Sequence, residues 1–337
     1  MRTARSHLLP ALAVTTVAVV IGLAGCSSSE APAGETTAAE VDPRAPEQDT
    51  ITIAGYRQGS IAPAFAAEKE GLLAEYGITQ EMSYVESSAA GMAAILGGDA
   101  DVAYSSFWGV IDAINQGLEV VIPNEAIRFD PGALTFEVLP DSGITSLEDL
   151  EGATVSVPAL NSGHHNRLRY AMLEEGLDPS TVEFVELPFG EITSALVNGT
   201  IDVAAAGGPA LTGLKTDYDS VTVLDLADGM FAGAAEGGWI MTKAFAEANP
   251  NTVAAFQCSW NAGIDLVKDD DLYVQILVDE LGFEQSVAEG EVSKKPVFPK
   301  GVETDKIQQF SDVMVELGLL DEPLDVSSII IPTPDNC

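Results

Sequence analysis

Residues Ala94–Ala103 read AILGGDADVA and residues Ala195–Ala204 read ALVNGTIDVA, so one ten-residue pattern occurs twice in the chain. The pattern is that of a helix ending at a glycine, followed by a short turn and a buried strand. Asp101 and Asp202 each come just before the strand, where we expect them to hold the turn by local hydrogen bonds. The duplication predicts two copies of one α/β unit.

The match between the two halves extends upstream of the repeat. The predicted elements are, in the first half, strand 51–54, helix 63–76 and strand 79–85, and, in the second, strand 154–157, helix 163–175 and strand 182–187. The order strand–helix–strand–helix–strand implies a mainly parallel sheet with helices on both faces. Ligands of such sheets bind beyond the carboxyl ends of the strands, so two facing lobes would form a cleft. A single large doubly wound sheet is the alternative, which the repeat disfavours.

Two segments are predicted to cross between the lobes. Residues 133–139 lead from the first half to the second, and residues 236–242 lead back. Between them, Thr145 or Ser146 is predicted to cap a helical turn. Helices are then predicted at 243–248, 251–268, 271–281 and 304–317. The return crossing should place them against the first lobe.

The N-terminal residues 1–25 have the pattern of a secretory signal. A basic head precedes an apolar run from Leu8 to Leu23, and small residues then lead to Cys26. This junction resembles the lipobox of bacterial lipoproteins, in which the cysteine carries the lipid. A plain signal peptide or a single-span anchor is the weaker alternative, since a span needs about 20 apolar residues. Residues 26–49, rich in Ser, Ala, Glu, Thr and Pro, are predicted to be a flexible tether.

Composition excludes some classes of protein. Fifteen Lys and Arg against 52 Asp and Glu give a net charge of −37, which argues against nucleic-acid binding because phosphates require a basic face. The hydrophobic fraction of 46% is too high for a disordered acidic chain. With Cys26 lipidated in an oxidising compartment, Cys258 and Cys337 are expected to form a disulfide bond. A catalytic Cys258 is the weaker alternative, because it lies in an apolar helix pattern.

Several motifs carry a resemblance to a known family. They are Gly55-Tyr56-Arg57-Gln58, the two Gly-x-x-Asp-Val-Ala units, Ser105-Ser106, the segment 144–152, Val157-Pro158, Ser162-Gly163-His164-His165, Gly208-Pro209 and the segment 239–245. In this order they resemble the solute-binding lipoproteins of ABC importers for taurine, alkanesulfonates and nitrate, whose relatives bind pyrimidine precursors of thiamin. The resemblance implies a periplasmic-binding-protein-like type II α/β fold, with two crossover strands and a cleft between two lobes. Lobe 1 would comprise residues 50–137 plus 240–337, and lobe 2 residues 138–239.

The sequence departs from the taurine branch, which it otherwise resembles in Ser162–His165. That branch tends to place an aromatic residue in the segment written here as 207–209. It also tends to place an aspartate at the position of Gly237, whereas here the acidic residue is Glu236. These departures leave room for a bulkier ligand, so an aromatic acid or a pyrimidine-type ligand is the alternative to a sulfonate.

Two predicted helix starts are candidate anion sites. The helices that follow Ser105–Ser106 and Asn161–Ser162 offer free N–H groups and a positive dipole end. Ordinary N-capping explains each serine alone, but two facing sites favour a ligand. The arginines predicted on or near cleft loops are Arg57, Arg128, Arg167 and Arg169. Their planar fork matches sulfonate or carboxylate oxygens, with surface salt bridges as the alternative.

The adjacent histidines do not predict a metal site. His164 and His165 point about 100° apart on a helix, which is not the i, i+4 spacing of a zinc pair. Two roles are equally consistent with the histidine pair. One histidine could donate to a ligand oxygen, or the pair could occupy an ordinary surface position at a helix start. The aromatic residues could contact an organic ligand or form core. The complete set predicted to bind ligand is Tyr56, Arg57, Gln58, Ser105, Ser106, Phe107, Trp108, Asn161, Ser162, Gly163, His164, His165, Gly208, Glu236 and Trp239, with no metal or cofactor.

The resemblance implies a monomeric, extracytoplasmic binding protein, anchored by lipid to the outer face of the cell membrane. It would close its lobes around a small organic anion and present it to an ABC permease with its ATPase. The second hypothesis is an enzyme on the same scaffold, like a thiamin-pyrimidine synthase, although the cysteine-rich motif of that relative is absent. A third is an adhesin or structural lipoprotein without a small ligand. The acidic charge is expected on the outer surface, where it suits a salty or membrane-proximal setting.

Overall fold

A computed structural model describes residues 41–337 of the chain. The predicted signal peptide, Cys26 and most of the predicted tether lie outside these residues. Within 41–337, no helix combines the length and apolar character that crossing a membrane requires.

The described residues form ten strands and twelve α-helices. The strands are β1 (Thr50–Gly55), β2 (Thr79–Tyr84), β3 (Val102–Ser106), β4 (Val120–Arg128), β5 (Leu134–Val138), β6 (Thr154–Val157), β7 (Glu183–Glu186), β8 (Val203–Gly207), β9 (Val221–Asp225) and β10 (Ala235–Thr242). The helices are α1 (Ala62–Lys69), α2 (Leu72–Glu75), α3 (Ser88–Gly97), α4 (Phe107–Asn115), α5 (Gly163–Glu174), α6 (Phe189–Val197), α7 (Gly208–Tyr218), α8 (Lys243–Ala248), α9 (Pro250–Leu266), α10 (Asp270–Asp279), α11 (Gln285–Glu291) and α12 (Thr304–Glu316).

The strands form two five-stranded sheets with the same plan. The first has the order β2-β1-β3-β10-β4 and the second β7-β6-β8-β5-β9. In each sheet the first three strands are parallel, and a crossing strand, β10 or β5, pairs antiparallel with both of its neighbours. The first sheet with the helices packed on it is called the first lobe, and the second sheet with its helices is called the second lobe. Two sheets confirm the predicted α/β class and rule out the single-sheet alternative.

The repeated aspartates join strands instead of holding turns. Asp101 Oδ2 accepts a hydrogen bond from Thr52 N at 2.8 Å, and Asp101 N donates to Thr52 O at 2.9 Å. Asp202 makes the same two bonds to Thr154, both at 2.8 Å. The expectation of local turn bonding is therefore wrong, because each carboxylate reaches the neighbouring parallel strand. The repeat instead fixes β3 against β1 and β8 against β6.

The helices follow the sequence-based prediction with three differences. The predicted helix 63–76 is divided into α1 and α2 at Gly71, whose φ of +75° suits glycine and interrupts the helical hydrogen bonds. Helix α7 and the short helix α11 were not predicted. The other C-terminal helices pack against the first lobe as expected, with α9 on α1 and α12 on α4.

The two ends of the described chain meet on the first lobe. Cys258 of α9 and Cys337 form the expected disulfide bond, with Cα atoms 5.2 Å apart. Arg44 donates to the carbonyl oxygens of Asn336 at 3.2 Å and Cys337 at 3.3 Å. The Glu47 carboxylate accepts from the backbone N of Thr252 at 2.8 Å. Residues 41–49 are thus fixed to the first lobe, although the sequence predicts flexible chain up to residue 49.

Candidate functional site

Serine side chains cap two of the helices that face the other lobe. Ser106 Oγ accepts from Gly109 N at 3.4 Å at the start of α4, and Ser162 Oγ accepts from His165 N at 3.5 Å at the start of α5. Both distances are at the long end of the hydrogen-bond range. The serines therefore do the capping that the sequence allowed as an alternative, but through weak bonds that leave most N–H groups of the first turns unused.

Tyr56 belongs to a small hydroxyl cluster beside α4. Its hydroxyl lies 2.7 Å from Ser88 Oγ, which also accepts from Ser106 N at 3.2 Å. The Tyr56 ring packs edge-on against Tyr104 with 5.0 Å between ring centroids. Burial raises the pKa of Tyr56, so its hydroxyl stays neutral and can donate. Ser88 was not in the predicted ligand-binding set, although the pair Ser87-Ser88 before an apolar helix resembles the pair Ser105-Ser106 that was.

A buried ion pair connects the two lobes. Arg167 of α5, in the second lobe, places Nη2 2.8 Å from Oε2 of Glu236 on β10, in the first sheet. The Arg167 side chain is 2% exposed and that of Glu236 16%. The guanidinium carbon also lies 5.6 Å from the Phe231 ring centroid and 5.5 Å from that of Phe310. Arg167, one of the arginines predicted near the cleft, thus contacts Glu236, the acidic residue that lies next to the position where the taurine branch tends to have an aspartate.

The start of α5 packs directly on the first lobe. A Cβ atom built on Gly163 would lie 3.1 Å from Trp108 Nε1 and 3.5 Å from Glu236 Oε1. Gly163 therefore leaves no space for a side chain between the indole of α4 and the carboxylate of β10. Gly163, Trp108, Arg167 and Glu236 form one group, which we call the lobe junction.

Several buried polar atoms at or beside the lobe junction have no hydrogen-bond partner among the described residues. They are Trp108 Nε1, Arg167 Nε, Asn166 Oδ1 and Glu236 Oε2, the last of which is in ion-pair contact with Arg167. Native proteins pair more than about 90% of such buried groups, because leaving one unpaired costs about 1–3 kcal/mol. Two of the four, Trp108 Nε1 and Arg167 Nε, are N–H donors, as an anionic ligand requires.

The other predicted arginines have different roles. Arg128 is held by Glu125, with Nε 2.5 Å from Oε1 and Nη2 2.7 Å from Oε2, and also pairs with Glu303 at 2.8 Å. Arg57 is exposed and stacks over the Tyr84 ring at 3.8 Å. Arg169 reaches a backbone oxygen of the first lobe, Leu317 O, at 3.5 Å. Only Arg167 therefore joins the lobe junction.

Both histidines lie within the second lobe in their neutral form. Burial, with a smaller effect of the nearby Arg167 charge, lowers the pKa of His164 to about 3. Burial and then Arg169 lower the pKa of His165 to about 4, while Glu186 opposes the shift. His165 Nδ1 accepts from Asn161 N at 2.9 Å, and its ring packs against Phe184. His165 therefore shapes the loop before α5.

The remaining predicted residues lie in different parts of the two lobes. Ser105 is buried near the end of β3, Phe107 is buried at the start of α4, and Gln58 is exposed. Trp239 is fully buried in the core of the first lobe, where its ring contacts those of Tyr104, Phe256 and Trp260. Gly208 begins α7 with a φ of +51°. Across residues 41–337, no three His, Cys, Asp or Glu side chains are grouped so that they could hold a metal ion.

Two sheets of one plan, joined by β5 and β10, define a two-lobed periplasmic-binding-protein fold. The periplasmic aliphatic sulphonate binding protein SsuA of Escherichia coli superposes with a TM-score of 0.70 at 19% identity, covering 84% of this chain and 97% of that one. SsuA of Xanthomonas axonopodis pv. citri, bound to MOPS, gives 0.68 at 17% identity, covering 85% and 99%.

The family follows from the sequence match. Residues 58–271, more than half of the chain, match the NMT1/THI5-like family, so the chain belongs to that family. The taurine-binding periplasmic protein of Escherichia coli (strain K12) is 27% identical over 207 residues, which are 61% of this chain and 62% of that protein. The family resemblance carried by the motifs is thereby confirmed.

Proposed function

We propose that this protein is the extracytoplasmic solute-binding component of an ABC importer and that it captures a small organic anion of the sulfonate type between its lobes. The observation that carries the proposal is Arg167, whose guanidinium is buried where α5 meets the first lobe. Burying a guanidinium is costly unless anions compensate it. Glu236 compensates this charge from within the protein, but Arg167 Nε has no hydrogen-bond partner, so a bound anion can gain a contact there.

The surroundings of Arg167 support an anionic ligand. The unpartnered N–H of Trp108 and the first turns of α4 and α5 supply further donors with a positive dipole end. His164 and His165 are neutral, so the arginine is the positive charge of the lobe junction. Closing the two lobes would remove water from the ligand and strengthen each of these contacts.

The partners follow from this function. We propose that Cys26 carries the lipid anchor, that the protein acts as a monomer on the outer face of the membrane, and that an ABC permease with its ATPase accepts the ligand. The secretory and lipobox patterns of residues 1–26 support this location. The name of the taurine-binding periplasmic relative supports the binding of a small ligand outside the cytoplasm.

Calorimetry tests the ligand class. We expect methanesulfonate, taurine or both to bind the wild-type protein and raise its melting temperature. Arg167→Gln should weaken that binding by roughly tenfold or more, since it removes a buried charge-assisted contact. Lys243→Gln makes the same change in net charge at a 52% exposed side chain and should leave the affinity unchanged.

The same panel separates the alternatives. Benzoate and cytosine represent the aromatic-acid and pyrimidine ligands, and tighter binding of either would replace the sulfonate proposal. Absence of binding by sulfonates, nitrate and benzoate would contradict capture of a small anion. Turnover of a bound ligand would favour the enzyme hypothesis.

A further inference from the structure

Glu236 lies where an anionic ligand of Arg167 would be expected. It approaches the guanidinium from the first lobe, with Oε2 2.8 Å from Nη2. The carboxylate is part of the protein, so the buried charge is compensated before any ligand binds. The pair also spans the lobes, because β10 is in the first sheet and α5 packs on the second.

The pair is close but poorly aligned, in contrast to another pair in the same protein. Glu125 receives Arg128 through two parallel contacts of 2.5 and 2.7 Å, the bidentate geometry that makes such pairs strong. At the lobe junction, Glu236 Oε2 lacks hydrogen-bond geometry towards Arg167, and Arg167 Nε has no partner. A buried guanidinium with unused donors can therefore gain from a better-fitting anion.

The surroundings explain what a replacing anion would gain. Glu236 Oε1 and Trp108 Nε1 lie 3.5 and 3.1 Å from one point, the Cβ position of Gly163. The indole N–H has no partner there, although the carboxylate is nearby. A tetrahedral anion presents several oxygens in different directions, so it can reach the guanidinium and the indole together. The flat two-oxygen carboxylate, fixed to β10, does not.

We propose that Glu236 is a built-in, displaceable counter-ion for Arg167, which holds the lobes together before ligand arrives and is displaced when an external anion binds. This inference rests on the proposed function. It makes Glu236 a specificity-determining residue, because an anion must compete with the carboxylate for Arg167. Anions that reach only the guanidinium would not displace the carboxylate. Anions with enough oxygens to bond the guanidinium and the indole together would displace it.

Removing the charge of Glu236 tests the proposal with methanesulfonate as the probe. Glu236→Gln should bind methanesulfonate roughly tenfold more tightly than wild type, because the competing charge is gone. Glu303→Gln is the matched control. It changes net charge equally at the 60% exposed partner of Arg128 and should stay within about twofold of wild type. Small-angle scattering should also show that ligand-free Glu236→Gln is more open than wild type. Equal methanesulfonate affinity in folded Glu236→Gln and wild type would overturn the proposal.

A double variant covers the case in which Glu236→Gln does not fold. Arg167→Gln combined with Glu236→Gln removes both charges, so no unpaired charge remains buried. It should fold and should have lost methanesulfonate binding by at least about tenfold. Wild-type affinity in the double variant would overturn the proposal. A wild-type protein that binds no anion would instead contradict the proposed function itself, so the two failures are distinguishable.

Discussion

Gly163 of α5 lies against the indole of Trp108 of α4, so closely that an added Cβ would be 3.1 Å from Nε1 and 3.2 Å from Cδ1. Gly163 is the first residue of α5 and lies where the second lobe contacts the first. Contacts this short require the neighbour to move by a few tenths of an ångström. The glycine therefore sets how closely the lobes approach at the junction.

A larger residue at position 163 should keep the lobes apart. Gly163→Val is expected to weaken methanesulfonate binding by roughly tenfold or more, since the junction cannot close around the anion. Gly190→Val is the matched control in α6, where a Cβ meets nothing within 4 Å. Scattering should show Gly163→Val more open than the control. A fully closed Gly163→Val protein with unchanged affinity would show that the glycine is not a spacer.

The two-lobed fold could be predicted because the sequence contains the same helix–turn–strand pattern twice. Gly98 and Gly199, with φ of +78° and +68°, end equivalent helices, and each is followed by a buried strand. What the repeat did not show is where Asp101 and Asp202 bond, because a carboxylate before a strand can reach its own turn or the next strand. Only the register of β3 and β8 on their neighbours decides between these.

The candidate site was predicted as a set of residues but not as an arrangement. Glu236 was in the predicted ligand-binding set, whereas Arg167 was only among the arginines expected near the cleft, and nothing in a sequence separation of 69 residues indicates that they pair. Arg128 looked equally suitable for a ligand, until its contacts with Glu125 and Glu303 accounted for its donors. Pairing depends on tertiary packing, so Arg128 at the end of β4 and Arg167 within α5 acquire different roles.

The bond between Cys258 and Cys337 should stabilise the first lobe and the N-terminal segment together. Its sequence separation of 79 residues corresponds to about 4 kcal/mol in the chain-entropy model. We expect Cys258→Ser with Cys337→Ser to lower the free energy of unfolding by up to that amount, measured by urea denaturation. Limited proteolysis should then cleave residues 41–49 faster, because Asn336 and Cys337 hold Arg44.

Arg44→Gln separates the two effects. It keeps the disulfide bond, so the stability loss should be small, while cleavage within residues 41–49 should still accelerate. Unchanged cleavage in both variants would show that residues 41–49 are held by α9 alone, through Glu47 and Thr252.

The neutral His164 and His165 should make the free energy of unfolding depend on pH between about 5 and 7, where carboxylates no longer titrate. Their folded pKa values, about 3 for His164 and about 4 for His165, lie below the unfolded value of about 6.5. Between these values the unfolded state binds more protons, so stability is complete above about pH 6.5 and falls as the pH is lowered. We expect the melting temperature of wild type to fall between pH 7 and 5, and that of His164→Gln to fall less. Identical pH profiles would contradict a buried neutral His164.

The net charge of −37 should make stability increase with salt. The two buried arginine pairs are screened little, whereas exposed pairs such as Lys69–Asp279 at 3.6 Å contribute little at any ionic strength. Salt therefore acts mainly on repulsion among the exposed acids. We expect the melting temperature to rise from about 0.02 M to about 0.5 M NaCl, and equally in KCl, because screening does not distinguish the cations.

Glu175→Gln removes an exposed carboxylate at the C-terminal end of α5, where it also opposes the helix dipole, and should raise the melting temperature most at low salt. A melting temperature that falls as NaCl is added would show that attractive surface pairs, and not acidic repulsion, dominate the surface electrostatics.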